Sequence, residues 1–205
     1  LELCGEGIHA MLIDGENTVV SDPDRAHSER ALGKLDFLCV IDIFLTETAA
    51  MADVVLPATS WGETDGTFAS TERRIQRVRA AVTPPGEAKP DWWILSALAN
   101  TMGIQGFEYD SPAEVFNEIC SLAPIYAGVD WDLIDGGQYQ WPIPYKGHPG
   151  TPRLHEDGFT NGRAVLRAIG YRDPAEVVDD EFPVWLTTGR RLQNYHTRTQ
   201  TGRAS

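Results

Sequence analysis

The first 57 residues carry the pattern that most restricts how this 205-residue chain can fold. Three apolar runs, at residues 8–13, 37–43 and 54–56, are separated by segments that contain helix signals. The second run is almost continuously apolar, which is typical of a strand buried on both faces. We therefore predict three buried strands in this part of the chain.

The segments between these runs predict short helices. Asp22-Pro23-Asp24 can begin a helix that Gly33 ends, and Thr46 or Thr48 can cap a second helix that runs to Ala52. Strands and helices that alternate at this spacing predict a parallel α/β arrangement. In such sheets, ligands bind outside the carboxyl ends of the strands.

Two longer helices are predicted farther along the chain. Residues 91–102 place apolar side chains on one face, and Gly103 follows as a terminator. Ser111-Pro112-Ala113-Glu114 is a capping box that predicts a helix to about Leu122.

The remaining segments are less regular. Residues 62–79 predict a turn at Asp65-Gly66, residues 127–162 predict an ordered loop region, and residues 183–187 predict a new β element. The loop region contains five aromatic side chains that we expect to be buried: Trp131, Tyr139, Trp141, Tyr145 and Phe159.

The charge of the chain excludes one class of partner. A formal net charge of −13 argues against binding to a nucleic-acid backbone, and no apolar stretch is long enough to span a bilayer. There is no basic-then-apolar leader, so we predict a cytoplasmic protein. Because the sequence does not begin with Met, we expect it to be a fragment of a longer chain.

The cysteines and histidines indicate neither a metal site nor a nucleophile. The cysteines at 4, 39 and 120 match no zinc or iron–sulfur spacing and are predicted to be buried thiols. No Ser-His-Asp or Cys-His set can be placed. The histidines at 9, 27, 148 and 155 are therefore expected to be structural or exposed.

Candidate binding residues follow the predicted strands. Residues 15–17 (Gly-Glu-Asn), Ser21 and Asp42 lie at carboxyl ends, where Asn can bond a base or ribose and Ser can donate to a phosphate. The alternative for residues 15–17 is an ordinary turn. Asp91 is expected to cap its helix, to accept two hydrogen bonds from guanine, or to do both.

Residues 187–203 are the densest polar stretch, with four arginines in an acidic chain. They form either a solvated loop or a clamp for an anion and a heterocycle. In the clamp, Arg190 or Arg191 binds phosphate, and Asn194 or His196 bonds a ring edge.

An ordered series of motifs resembles the molybdopterin oxidoreductase superfamily. Its members are Ile13-Asp14-Gly15-Glu16-Asn17, residues 42–57, Gly66-Thr67-Phe68, Thr71-Glu72-Arg73-Arg74-Ile75-Gln76, Pro90-Asp91-Trp92 and Thr188-Gly189-Arg190. Residues 140–142, 148–151 and 195–202 are most similar to formate dehydrogenase alpha subunits, although nitrate reductases share parts of them.

The resemblance implies a subunit that holds molybdenum or tungsten between two molybdopterin guanine dinucleotides, with a [4Fe–4S] cluster nearby. Formate is the implied substrate, and the rest of the subunit and electron-transfer subunits are the implied partners. The implied fold class is α/β. The implied Rossmann-like parallel αβα segment comprises residues 1–60 and 90–111. An irregular α+β segment that packs toward the cluster domain comprises residues 61–89 and 112–150. The last part, residues 151–205, is implied to be a linker and the start of a C-terminal β-barrel.

The resemblance also implies which residues bind the cofactor. Those implied for the guanosine are Asn17, Ser21, Ile41, Asp42 and Asp91. Those implied for the pterin and phosphates are Thr188, Gly189, Arg190, Arg191, Leu192, Asn194, Tyr195, His196 and Thr197. The family commonly has a polar residue where this chain has Ile41, so only backbone contact is expected there.

The resemblance implies that the catalytic and metal-ligating groups of the family lie upstream of Leu1, so the fragment alone is expected to be inactive. Alternative hypotheses are a nitrate reductase-type enzyme, the cofactor-free large subunit of respiratory complex I, and a non-catalytic Rossmann-like nucleotide-binding module. The polar stretch from Thr188 to Thr197 argues against the cofactor-free subunit.

Overall fold

The computed structural model describes residues 1–137 and 139–189. The chain divides into two compact units, residues 1–152 and residues 153–205. The strands and helices of the first unit are β1 (Ala10–Asp14), α1 (Thr18–Ser21), α2 (Arg25–Leu32), β2 (Phe37–Asp42), β3 (Val54–Pro57), β4 (Gly66–Ala69), β5 (Arg74–Val78), α3 (Asp91–Thr101), α4 (Pro112–Leu122), α5 (Trp131–Asp135) and β6 (Tyr139–Gln140).

The first three strands form a parallel sheet in the order β1-β2-β3. Asp14 at the end of β1 is in register with Ile41, and Asp42 at the end of β2 is in register with Pro57. The carboxyl ends of the three strands therefore lie along one edge. The predicted parallel α/β arrangement is confirmed, and the finer Rossmann-like assignment stays a prediction.

Side chains of β2 alternate between two cores, because successive residues of a strand point to opposite faces. Leu38 and Val40 pack in one cluster with Leu32 of α2, and Ile41 packs in another with Ile94 of α3. From Leu38 to Asp42 every residue of β2 is buried. The apolar run thus forms the centre of the sheet, as predicted.

The predicted first helix is confirmed as α2, but the second is not. The Asp24 side chain accepts the N–H of His27 at 2.9 Å, and Gly33 ends α2. The segment capped by Thr46 or Thr48 forms only a 3₁₀ turn, Ala49–Met51. Directly after this turn, the Asp53 carboxylate accepts the N–H of Leu38 in β2 at 2.7 Å. The chain therefore enters β3 before another helical turn can form.

Residues predicted to be less regular form a second, antiparallel sheet in the order β4-β5-β6. The turn between β4 and β5 lies at residues 70–73, closed by a bond from Arg73 N–H to the Ser70 carbonyl, and not at Asp65-Gly66. Asp65 instead accepts the N–H of Ala80 at 3.1 Å, across the open end of the hairpin. The predicted turn was therefore misplaced.

Helices α4 and α5 cover this second sheet. As predicted, Ser111 caps α4. The predicted loop region 127–162 contains α5 and β6, and its Trp131, Tyr139 and Trp141 pack on a core of buried residues. Tyr145 and Phe159 were expected to be buried but are 61% and 44% exposed, and each contacts a histidine ring instead.

The described part of the second unit, residues 153–189, contains no helix or strand. The β element predicted at residues 183–187 is therefore wrong for this structure. A strand is stable only when its backbone groups pair with a neighbour, and no described residue pairs with this segment. The predicted domain boundaries and the start of a barrel stay predictions.

Candidate functional site

The carboxyl ends of the parallel strands and the start of α3 meet at one edge of the first sheet. Lys89 donates its N–H to the Pro57 carbonyl at 3.1 Å and accepts the N–H of Thr59 at 3.0 Å. This bridge continues the line of β3 beside the chain that enters α3. It brings Asp91 to the sheet edge where β1 and β2 end.

Asp91 is the first residue of α3, and the cap is Pro90. The Pro90 carbonyl accepts the N–H groups of Trp93 and Ile94, and Asp91 makes no side-chain cap hydrogen bond. The prediction that Asp91 caps the helix is therefore wrong. Its carboxylate lies in the first turn, where the helix dipole favours a negative charge and the oxygens stay available to other donors.

Three carboxyl groups, Asp14, Asp42 and Asp91, interact electrostatically at this edge. Asp91 is an exposed residue whose carboxyl is partly buried, and this partial burial raises its pKa from 3.8 to about 6, with a further contribution from the charges of Asp14 and Asp42. Burial also raises the pKa of Asp14, with a further contribution from Asp42. We call these three side chains the carboxylate cluster. They form a strongly negative site that attracts hydrogen-bond donors.

Asp42 is the most enclosed member of the carboxylate cluster, at 4% exposed. One of its carboxylate oxygens accepts the N–H of Ile43 at 2.7 Å, and the other accepts the hydroxyl of Thr46 at 3.5 Å. Its main-chain carbonyl accepts the N–H of Ala58 at 3.0 Å. Strand pairing and the following loop therefore both determine where this carboxylate lies.

Asn17 and Ser21 lie at the same edge, and both side chains bond within the chain. Asn17 donates to the Glu47 carboxylate at 2.9 Å, and its oxygen accepts the hydroxyl of Thr48 at 2.8 Å. Ser21 donates to the Glu16 carboxylate. Both side chains thus have partners that the sequence did not indicate, and their contact with a cofactor stays a prediction.

Ile41 is fully buried and packs with Ala58 and Ile94. Its carbonyl accepts the N–H of Gly15 at 2.9 Å. Gly15 has a positive φ of 64°, which a residue with a side chain adopts only with strain. The Ile41 side chain therefore packs in the core while its backbone holds the turn after β1.

The polar groups at this edge fit the base of a guanine nucleotide. Guanine presents adjacent N–H donors, and the carboxylate cluster supplies acceptors. Thr59, two residues beyond β3, has a buried hydroxyl with no hydrogen-bond partner among the described residues, which is unusual for a buried polar group. The negative charge of the carboxylate cluster repels phosphate, so the phosphate groups of such a nucleotide would have to bind to another part of the protein.

The predicted pterin and phosphate strip lies mostly outside the described residues. Thr188 and Gly189 are exposed and belong to no helix or strand. The other residues of the strip lie outside the described part: Arg190, Arg191, Leu192, Asn194, Tyr195, His196 and Thr197.

The described residues hold no group of His, Cys, Asp and Glu side chains arranged to bind a metal ion. The three cysteines are buried and unpaired, as predicted. Burial and the charge of Asp130 raise the pKa of Cys120 to about 11, which keeps this thiol protonated and unreactive. Within the described part of the chain, no helix is both long and apolar enough to cross a membrane.

Sequence reasoning missed Asp14, Glu47 and Thr48 as parts of this edge. Asp14 could have been found, because it directly follows the predicted first strand and shares its carboxyl end with residues 15–17. Thr48 could not, because it meets Asn17 across 31 residues and only the fold brings them together.

Residues 2–101 match the family model for molybdopterin oxidoreductase. The chain is similar to the F420-dependent formate dehydrogenase subunit alpha of Methanocaldococcus jannaschii, at 48% identity over 97% of this chain and 30% of that protein. It is 50% identical to the F420-dependent formate dehydrogenase 1 subunit alpha of Methanococcus maripaludis, over all of this chain and 31% of that protein.

The chain thus spans just under a third of the length of these relatives. It is also 40% identical to a putative formate dehydrogenase of Staphylococcus aureus, over 95% of this chain and 20% of that protein. Among solved structures, acetylene hydratase from Pelobacter acetylenicus superposes with a TM-score of 0.54 at 24% identity, over 69% of this chain and 20% of that chain. This likeness concerns the fold alone.

Proposed function

We propose that this chain, whose residues 2–101 match the molybdopterin oxidoreductase family model, is a cofactor-binding segment of a formate dehydrogenase catalytic subunit. The intact subunit oxidises formate to carbon dioxide, releasing one proton and two electrons. Similarity to formate dehydrogenase alpha subunits over nearly the whole chain supports this reaction.

The cofactor proposed for the intact subunit is molybdopterin guanine dinucleotide with molybdenum or tungsten, and it supplies the two-electron redox chemistry. We propose that a [4Fe–4S] cluster and electron-transfer subunits receive the electrons. The name subunit alpha given to the relatives supports the presence of such partners.

The role of this chain is to bind and orient the guanosine end of the cofactor. The observation that supports this role is the carboxylate cluster, in which α3 brings Asp91 beside Asp14 and Asp42 at the sheet edge. An ionised carboxylate accepts the paired donors of guanine and cannot do so once protonated. We propose that Asp91 is the principal guanine ligand and that residues 188–197 bind the pterin and phosphates.

Asp91→Asn in the full-length subunit tests this role. The substitution replaces one acceptor oxygen with a donor that opposes a guanine N–H, so a bidentate contact of about 1–3 kcal/mol is lost. We expect the cofactor concentration for half-loading of the cofactor-free subunit to rise by about 10- to 100-fold. Loading is measured as guanine nucleotide released by acid hydrolysis and as bound metal.

Asp132→Asn is the matched control, because Asp132 is an exposed aspartate in the first turn of another helix, α5. It should load like the unmodified subunit. Equal loading of the Asp91→Asn and Asp132→Asn variants would show that Asp91 does not bind the cofactor. A subunit that loads normally but does not reduce a dye with formate would contradict the proposed reaction alone.

A further inference from the structure

The loop after β2 is attached to the segment after β1 by an exchange of hydrogen bonds between Asn17 and Thr48. The Thr48 hydroxyl accepts the N–H of Val19 at 3.0 Å and donates to the Asn17 side-chain oxygen at 2.8 Å. That oxygen also accepts the Thr48 N–H at 3.2 Å. Each residue therefore satisfies a backbone N–H at the start of the other's helical turn.

Neither residue caps its own turn, although both occupy cap positions. Asn17 precedes α1 and Thr48 precedes the 3₁₀ turn, and neither makes a side-chain bond to the turn that follows it. Asn and Thr at these positions ordinarily bond their own helix start. Here the bonds run between two strand ends, which makes the two turns depend on each other.

The bond between Val19 and Thr48 is buried and the two bonds to the Asn17 oxygen are partly buried, so water compensates little for their loss. Thr48 is fully buried and Val19 is 1% exposed. The Asn17 oxygen accepts two hydrogen bonds, which uses both of its lone pairs. This oxygen is consequently committed to Thr48, and a ligand would have to displace Thr48 to bond it.

The loop held by Thr48 also determines the surroundings of Asp42. The Thr46 hydroxyl reaches the Asp42 carboxylate and accepts the N–H of Ala49 at 3.2 Å. Residues 43–48 are thus fixed to Asp42 at one end and to Asn17 at the other. Movement of Thr48 would shift the groups that orient the Asp42 carboxylate.

We infer that Asn17 and Thr48 form a positioning pair that holds the loop of residues 43–48, and through it Asp42, in place for the guanosine end of the cofactor. Asn17 acts through Thr48 and does not contact the nucleotide through its oxygen. This inference rests on the proposed function, because it assigns the pair to the same guanosine site.

Thr48→Val and Thr48→Ser in the full-length subunit test the pair. Valine keeps the shape of threonine and removes the hydroxyl, whereas serine keeps the hydroxyl. For Thr48→Val we expect a cofactor concentration for half-loading about three- to tenfold higher, the equivalent of one net hydrogen bond, and faster amide exchange in residues 43–48. In Thr48→Ser, the half-loading concentration and the amide exchange should both stay close to those of the unmodified subunit. Thr101→Val, an exposed substitution at the far end of α3, should change neither.

Asn17→Ala distinguishes a positioning role from direct contact, and it serves if Thr48→Val does not fold. If Asn17 is a positioning residue, Asn17→Ala should change both the amide exchange of residues 43–48 and the cofactor concentration for half-loading. Adding Thr48→Val to Asn17→Ala should then have little further effect. Weaker loading with unchanged exchange, or additive effects of the two substitutions, would overturn the inference. A wild-type subunit that binds no guanine nucleotide would instead refute the proposed function.

Discussion

Three carboxyl groups at one sheet edge are an unfavourable arrangement for a folded protein without a ligand. Desolvation raises the pKa of Asp91 to about 6, and Asp14 and Asp42 oppose its ionisation further. At neutral pH the folded chain therefore holds negative charges that the unfolded chain would separate. Such destabilisation at a binding site is expected where side chains are placed for a ligand.

This destabilisation predicts how stability depends on pH. The pKa of Asp91 is higher in the folded chain than in the unfolded chain, so stability is fully present below about pH 4 and falls as the pH rises through about 6. Since solvent screens the partly exposed carboxyl, we expect Asp91→Asn to raise the free energy of unfolding by about 1 kcal/mol at pH 7.5 and by much less at pH 4. Urea denaturation at the two pH values measures this. An equal effect at both values would show that Asp91 ionises freely.

At the scale of elements, helices α2 and α4 were predicted correctly from local signals. Asp24 and Gly33 cap the two ends of α2, and Ser111 caps the start of α4. Such caps depend on residues only a few positions apart, so the sequence reveals them. The β4-β5 hairpin was missed. β5 has polar side chains at three of its five positions, Arg74, Gln76 and Arg77, and so lacks a clean strand alternation. Only the fold shows that Trp131 of α5 covers Arg77.

The contact between β5 and α5 depends on Arg77. Its guanidinium lies 3.5 Å from the centre of the Trp131 ring and donates to Asp135 at 2.8 Å, and its side chain is 11% exposed. Arg77→Lys loses the planar stack, so we expect a loss of about 1–2 kcal/mol in the free energy of unfolding.

Arg79→Lys is the control for this prediction. Arg79 pairs with the same Asp135 oxygen, but its side chain is 58% exposed. The control should cost less than about 0.5 kcal/mol in urea denaturation. If the two variants lost equal stability, the stack on Trp131 would not be what stabilises this contact.

At the scale of the whole molecule, structure is unevenly distributed. All described helices and strands belong to residues 1–152, whereas described residues 153–189 contain none. The second unit has exposed apolar side chains, among them Leu166, Ile169 and Leu186 at more than 90%. The chain spans just under a third of its relatives, so we propose that the rest of the subunit covers these side chains.

Limited proteolysis of the chain should reveal this division. Trypsin needs an exposed segment outside regular structure, so we expect the first cuts at Arg163, Arg167 or Arg172 and a resistant product that retains residues 1–152. Mass spectrometry of the early products identifies the sites. First cuts within β5, at Arg74 or Arg77, would mean that the second sheet is less stable than the second unit.

The sequence by itself determined the parallel strands and helices α2 and α4, because strand burial and helix caps depend on residues near one another in the chain. Its ordered motifs indicated the family that residues 2–101 match. It also indicated the edge that carries Asn17, Asp42 and Asp91. Only the tertiary structure decided how these residues are used. The hydrogen bonds between Asn17 and Thr48 and the repulsion among the three carboxyls both act between strand ends that lie far apart in sequence. The pairing of the strands is what brings these residues together.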